Sequence, residues 1–162
     1  MIPGRDRTRL DDMTFLAFAA LLAWCAVLSV SDLRHRRLPN ELTGSGALAV
    51  LGYALSTTQF TAALLGAGLL ALPYLVIHLL APAAFGAGDV KLAVPLGAAA
   101  ALGGGQAWIL AALGAPVLTA IVGLALLVTR RIRTPAIRPP PLPHAPAMCL
   151  STLTALAVAH VN

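Results

Sequence analysis

The sequence predicts an all-α, polytopic integral membrane protein of about six transmembrane helices with both termini outside. Three observations carry that prediction. Hydrophobic residues make up 59% of the 162 residues and charged residues only 10%, against about 45–50% and about 25% in soluble domains. Mean hydropathy is +0.85, and a soluble chain of this length, which still exposes about a third of its unfolded surface, has nowhere to hide so much apolar side chain. The apolar residues also fall into runs near the length of a bilayer crossing, parted by short polar, glycine-rich or proline-rich stretches. The length allows one domain, so residues 1–162 read as a single transmembrane domain.

The runs follow in order. Residues 1–12 are a short polar tail in which Arg5, Arg7 and Arg9 balance Asp6, Asp11 and Asp12. Span 1 covers about residues 13–31; it is longer than the apolar part of a signal peptide and lacks a small-residue cleavage site, so it reads as a helix of the mature protein. The polar stretch Asp32-Leu33-Arg34-His35-Arg36-Arg37-Leu38-Pro39-Asn40 ends it. Span 2 covers residues 42–58, span 3 residues 61–80, span 4 residues 90–102, span 5 residues 106–128 and span 6 residues 144–161. An Arg/Pro-rich loop, residues 129–143, precedes the last span and reads as extended. Span 4 is the shortest, carries Pro95 in its middle and stops at Gly103-Gly104-Gly105; it reads either as a full crossing or as a kinked, partly re-entrant helix. Parity favours the crossing, because only then do the two arginine-rich loops share one side. That side then holds Arg34, Arg36, Arg37, Lys91, Arg130, Arg131, Arg133 and Arg138, and the other only Arg5, Arg7 and Arg9. This bias marks the cytoplasmic side.

The same clustering disposes of other functions. A net charge of +5 and a pI near 10.3 suit a nucleic-acid binder, but cations gathered between apolar runs are a topology signal and no nucleic-acid partner is expected. Cys25 and Cys149 lie in separate apolar runs with no CxxC, which argues against a zinc ribbon, a redox motif and a disulfide. None of His35, His78, His144 and His160 stands at metal-ligand spacing from another, so no metal or other cofactor is expected. Ser29 and Ser31 lack a Gly-x-Ser-x-Gly context. Trp24, Trp108, Tyr53 and Tyr74 read as interface or core anchors. Small residues such as Gly44, Gly46, Gly52, Gly66, Gly68 and Gly97 permit close helix approach, or simply reflect the composition.

Beyond the tail, three acids remain: Asp32, Glu41 and Asp89. Glu41 reads as a solvated acid at a helix start. Asp32 closes span 1 and Asp89 opens span 4, so the topology puts both at the cytoplasmic ends of their helices, where ionisable groups are costly and often functional. Asp89 has a plainer reading as a helix cap, and Asp32 as a partner of Arg36 one turn on. Brought together in a partly dry site, the two share one proton; one carboxylate then activates water while the protonated one polarises a carbonyl. Glycines beside them permit close approach of a substrate backbone.

The motifs around these acids resemble a known family. Phe85-Gly86-Ala87-Gly88-Asp89-Val90-Lys91-Leu92 is similar to the GxGD signature of intramembrane aspartic proteases, in the Gly-x-Gly-Asp-x-Lys form of type IV prepilin peptidases. The stretch from Asp32 to Pro39-Asn40 resembles that family's first motif, an acid followed by basic residues and Pro-Asn, and Pro143-His144-Ala145-Pro146 its Pro-x-x-Pro lead into the last helix. The resemblance implies Asp32 and Asp89 as catalytic pair, with Gly86, Gly88, Lys91, Pro39 and Asn40 as supporting motif residues. It implies a membrane aspartic endopeptidase that cleaves the basic leader from prepilins or prepilin-like proteins at the cytoplasmic face of the inner membrane, with the substrate helix, the bilayer and pilus or secretion machinery as partners. Lys91 either acts on Asp89, positions the loop, or is a topogenic cation. The chain lacks the two CxxC pairs and the cytoplasmic insert of longer members, and so resembles the short, peptidase-only form serving Flp/Tad pili. A proton-coupled carrier is a second reading of the same acids, disfavoured by the absence of an internal repeat; a non-catalytic pilus scaffold is a third.

Overall fold

A computed structural model describes residues 4–82, 86–133 and 143–161, with side chains for residues 13–82, 86–129 and 143–161. Six helices account for nearly all of them: α1 Gly4–His35, α2 Asn40–Ser56, α3 Phe60–Leu80, α4 Ala87–Leu102, α5 Gly105–Arg133 and α6 Ala145–Val161. The protein is all-α, as its composition requires. Two helices outrun the expected spans. α1 continues back to Gly4 into the stretch read as a polar tail, since nothing between Gly4 and Met13 breaks a helix already fixed by the apolar run. α5 continues through Thr129 to Arg133. The rest of the Arg/Pro-rich loop, residues 134–142, lies outside the described residues.

Turn chemistry ends the helices. Arg36 takes a left-handed φ of 50° just past α1, and its N–H bonds the Asp32 carbonyl at 2.9 Å. Pro39 then caps α2, its carbonyl accepting the Thr43 N–H at 3.1 Å. Gly104, with φ of 91°, makes the sharp reversal between α4 and α5 that no other residue adopts so cheaply.

Contacts along the helices show that they alternate in direction. Gly66 meets Gly97, while Tyr74 lies near Asp89, so α3 and α4 are antiparallel. Ser151 bonds the Ala111 carbonyl and His144 reaches Thr119, so α5 and α6 are antiparallel too. The end of α1 therefore shares one end of the bundle with the starts of α2, α4 and α6. α4 is the central strut, packed by α2, α3, α5 and α6, and its residues Leu92, Ala93 and Pro95 to Ala100 are buried. It runs unbroken through Pro95. Sixteen residues at about 1.5 Å each span about 24 Å, short of a 30 Å hydrocarbon layer, but a helix sheathed by four others need not meet lipid along its length.

Close approach is what the glycines supply. A Cβ on Gly97 would stand 2.5 Å from the Gly66 carbonyl oxygen and 2.8 Å from Leu70 Cβ, so α3 and α4 touch backbone to backbone. Gly46 likewise receives the Trp24 indole, whose N–H donates to the Leu42 carbonyl at 2.8 Å, whereas Gly44, Gly52 and Gly68 face open space. Outside the core, the surface is apolar: Leu64, Leu65, Leu69 and Leu72 on α3, and Leu113, Val117 and Ile121 on α5, point outward. Such a surface suits lipid and not water. Met13–His35, Phe60–Leu80 and Gly105–Thr129 are each long and apolar enough to cross a bilayer, with mean hydropathy 2.2, 2.1 and 2.3.

Candidate active site

Asp32 sits in the last turn of α1, 8% exposed. The C-terminal end of its own helix disfavours an anion there. The start of α6 supplies the compensation, because the backbone N–H of Ala145, one of the donors a helix N-terminus leaves unpaired, donates to Asp32 Oδ2 at 3.2 Å. The Arg36 charge also acts on Asp32. Ser31 closes the turn from the other side by donating to the Arg37 carbonyl at 3.1 Å.

Asp89 occupies the first turn of α4, one residue ahead of the apolar run that begins at Val90. It is not the cap: Gly86 is, and accepts the Asp89 N–H at 3.1 Å. The Asp89 carboxyl folds back over Gly86, where a Cβ would lie 3.6 Å from Oδ2, and the Gly86 N–H supports it. Burial, and after it the nearby Asp32 charge, push the Asp89 carboxyl up to about 6; the Gly86 N–H offsets part of this. The two acids come from opposite halves of the chain.

The turn after α1 clasps the start of α4. Leu38 packs on Gly88, where a Cβ would come within 3.2 Å of Leu38 Cδ1. Pro39 turns the chain into α2, and Lys91 Nζ donates to Asn40 Oδ1 at 2.8 Å. Of the three readings of Lys91, its contact is that of a residue positioning the loop. Glu41, in the first turn of α2, is exposed. Gly86, Gly88, Asp89, Lys91, Pro39, Asn40 and Asp32 thus all gather at one end of the bundle, at the meeting of α1, α2, α4 and α6. Among the described residues, no group of three His, Cys, Asp or Glu side chains could hold a metal ion.

A sequence model of the type IV leader peptidase family matches residues 19–129. The chain belongs to that family. Membership makes it a peptidase. No curated protein and no solved structure matches it. The matched interval contains both acids and Gly86, Gly88, Lys91, Pro39 and Asn40, and ends before α6, which supplies Ala145.

Two features of this leader peptidase's site have no counterpart in the sequence reading. Tyr74 is a core residue, as read, and it also reaches the lead into α6: its hydroxyl lies 2.9 Å from His144 Nε2, and Thr119 Oγ1 lies 2.6 Å from Nδ1. The Pro-x-x-Pro context of His144 was the available signal. Cys25 and Cys149, 124 positions apart (149 − 25), are buried free thiols that line one pocket in the α1–α6 contact. An apolar cavity of about 180 Å³ between those helices, lined by Leu22, Cys25, Ser29, Pro146, Cys149 and Leu153, opens one turn from Asp32.

Proposed function

We propose that this leader peptidase is an aspartic endopeptidase that removes the basic leader from prepilins or prepilin-like proteins at the cytoplasmic face of the inner membrane, using Asp32 and Asp89 and no cofactor. The observation that carries the reading is the meeting of two helix ends: Asp32 closes α1 and is held by the α6 N-terminus, and Asp89 opens α4, whose Gly88 packs on Leu38 of the turn after α1. Charge placement supports the membrane side, since this end of the bundle holds Arg34 in the last turn of α1, Arg36 and Arg37 just after it, and Lys91 near the start of α4. Depth supports the substrate class: the acids stand where a basic leader would give way to an apolar helix entering the bilayer.

The pair divides its work by environment. Asp89, pushed up to about 6, keeps the shared proton. Asp32, its Oδ2 steadied by the Ala145 N–H, is the base. Asp32 takes a proton from water as the oxygen attacks the scissile carbonyl carbon, and Asp89 gives its proton to the carbonyl oxygen. The resulting gem-diol collapses as the amide nitrogen gains a proton and the C–N bond breaks, leaving a carboxyl on the leader and an amine on the pilin. Gly86 and Gly88 keep side chains clear of the approach to Asp89, while Pro39, Asn40 and Lys91 hold the loop that flanks it.

Co-expression with a prepilin reporter, a basic leader ending in glycine before an apolar helix, tests this. Asp32→Asn and Asp89→Asn should each abolish leader removal while the protein still inserts. Normal processing by either variant removes the pair from the mechanism.

A further inference from the structure

The end of the bundle that carries the acid pair is cationic on its outside. Arg34, Arg36, Arg37 and Lys91 are all exposed there, and a basic leader approaching the pair meets like charge, which repels it. Of the three carboxylates among the described side chains, Asp32 is buried, Asp89 is half-buried and Glu41 alone is exposed. The described surface therefore offers a basic leader one opposite charge, in the first turn of α2.

That turn is firmly seated. Leu42 packs against the core and Thr43 is buried, 4% exposed. The Leu42 carbonyl accepts the Trp24 indole N–H at 2.8 Å, and Thr43 Oγ1 donates to the Pro39 carbonyl at 3.3 Å. With its two successors turned inward, Glu41 is left on the outside. Its other neighbour, Asn40, binds the Lys91 ammonium through Oδ1 at 2.8 Å, so the amide and not the Glu41 carboxylate takes that cation. Lys91 lies two residues past Asp89. Glu41 is thus one residue from a contact made beside the acid pair, and is itself open to solvent. An acid in a first turn also suits the positive end of the helix dipole, but that role is indifferent to the charge of whatever approaches.

We propose that Glu41 is a specificity-determining residue: its carboxylate pairs with a Lys or Arg of the substrate's leader, ahead of the scissile bond, and so admits basic leaders past the surrounding cations. The proposal rests on the reading of the substrate as a prepilin-like chain with a basic leader. The spacing suits it. α2 packs on α4, packed helices lie about 8–10 Å apart, and an extended leader advances about 3.3 Å per residue. A cation about three residues ahead of the scissile bond therefore reaches from the start of α4 to the start of α2. The pair is exposed and adds only a few-fold in affinity; its weight is in discrimination, because the neighbouring charges all have the other sign.

The test uses the full chain in liposomes of neutral lipid: wild type, Glu41→Gln and Glu41→Lys. Three prepilin reporters differ only in the leader, which is basic, or has its cations replaced by glutamine, or by glutamate. On the basic leader, Glu41→Gln should raise KM about threefold and Glu41→Lys about tenfold, with kcat within about twofold of wild type. On the glutamine leader the three proteins should share one KM within about twofold, and on the glutamate leader Glu41→Lys should have the lowest. Raising salt from about 50 to about 300 mM should shrink the Glu41→Gln effect. The same KM change on all three leaders, a change confined to kcat, or no change overturns the proposal; the first is what an acid serving only the α2 dipole would give. Should Glu41→Lys fail to insert, Glu41→Gln on the basic and glutamine leaders decides alone. Binding of dye-labelled leader peptides to the same proteins, read by fluorescence anisotropy, needs no cleavage and should follow the same order. A wild type that cleaves none of the reporters counts against the proposed function, and the anisotropy still decides whether Glu41 reads charge.

Discussion

The two halves of α4 use glycine for opposite ends. At its start, the cap Gly86 and Gly88 clear space for the Asp89 carboxyl and the Leu38 side chain. Farther along, Gly97 lets the α3 backbone touch the α4 backbone, beside the buried Ala98, Ala99 and Ala100. The near half therefore tolerates a half-buried carboxyl and an exposed lysine, whereas the far half holds the bundle together and contains nothing that titrates. One helix carries both jobs because the second fixes the position of the first.

Substitutions should separate the halves. The largest effect belongs to the near half: Asp32→Asn or Asp89→Asn should slow leader cleavage by at least about 10³-fold, since paired catalytic groups act as a unit, while the thermal midpoint in detergent does not fall. Next comes Gly97→Val. Its side chain meets the Gly66 carbonyl and Leu70 with no flexible end to give way, so the folded state should lose about 3 kcal/mol. Detergent melting should show that loss, with the activity per folded molecule retained.

A pH effect on stability follows from Asp89. Its carboxyl titrates higher when folded than when unfolded, so its contribution is complete below the ordinary carboxylate range and is lost as pH rises through about 6. The melting temperature of the wild type should fall across that window and that of Asp89→Asn should fall less; parallel curves would contradict the burial of Asp89. The smallest effect is at the loop. Lys91→Ala breaks one exposed hydrogen bond and should cost less than about 1 kcal/mol, yet reduce cleavage severalfold. Asn40→Ala should match it, and the double variant should be no worse than either, as a shared contact requires.

Much of this organisation is legible in the sequence, for physical reasons that also mark where legibility stops. The helices announce themselves because lipid demands long apolar runs and because glycine and proline end them. The neighbourhood of Asp32 and Asp89 is legible through local motifs and through the parity that puts both at one end. What connects these residues is not. The bonds Lys91 to Asn40 and Tyr74 to His144 cross 51 and 70 positions, and no periodicity encodes a contact between helices. Gly97 and Gly52 look alike in the sequence, and only packing distinguishes the one that touches α3 from the one facing open space. A helix C-terminus disfavours an acid such as Asp32, and the N–H that holds it comes from Ala145, 113 positions away.

The central claim is that Asp32 and Asp89 feel each other's charge. ¹³C-carboxyl NMR of Asp89 in liposomes, titrated in wild type and in Asp32→Asn, tests it most directly. A wild-type midpoint near 6 that falls once Asp32 is neutral, though not to the value of an exposed aspartate, is the predicted result. A midpoint that does not move when Asp32 loses its charge would contradict it.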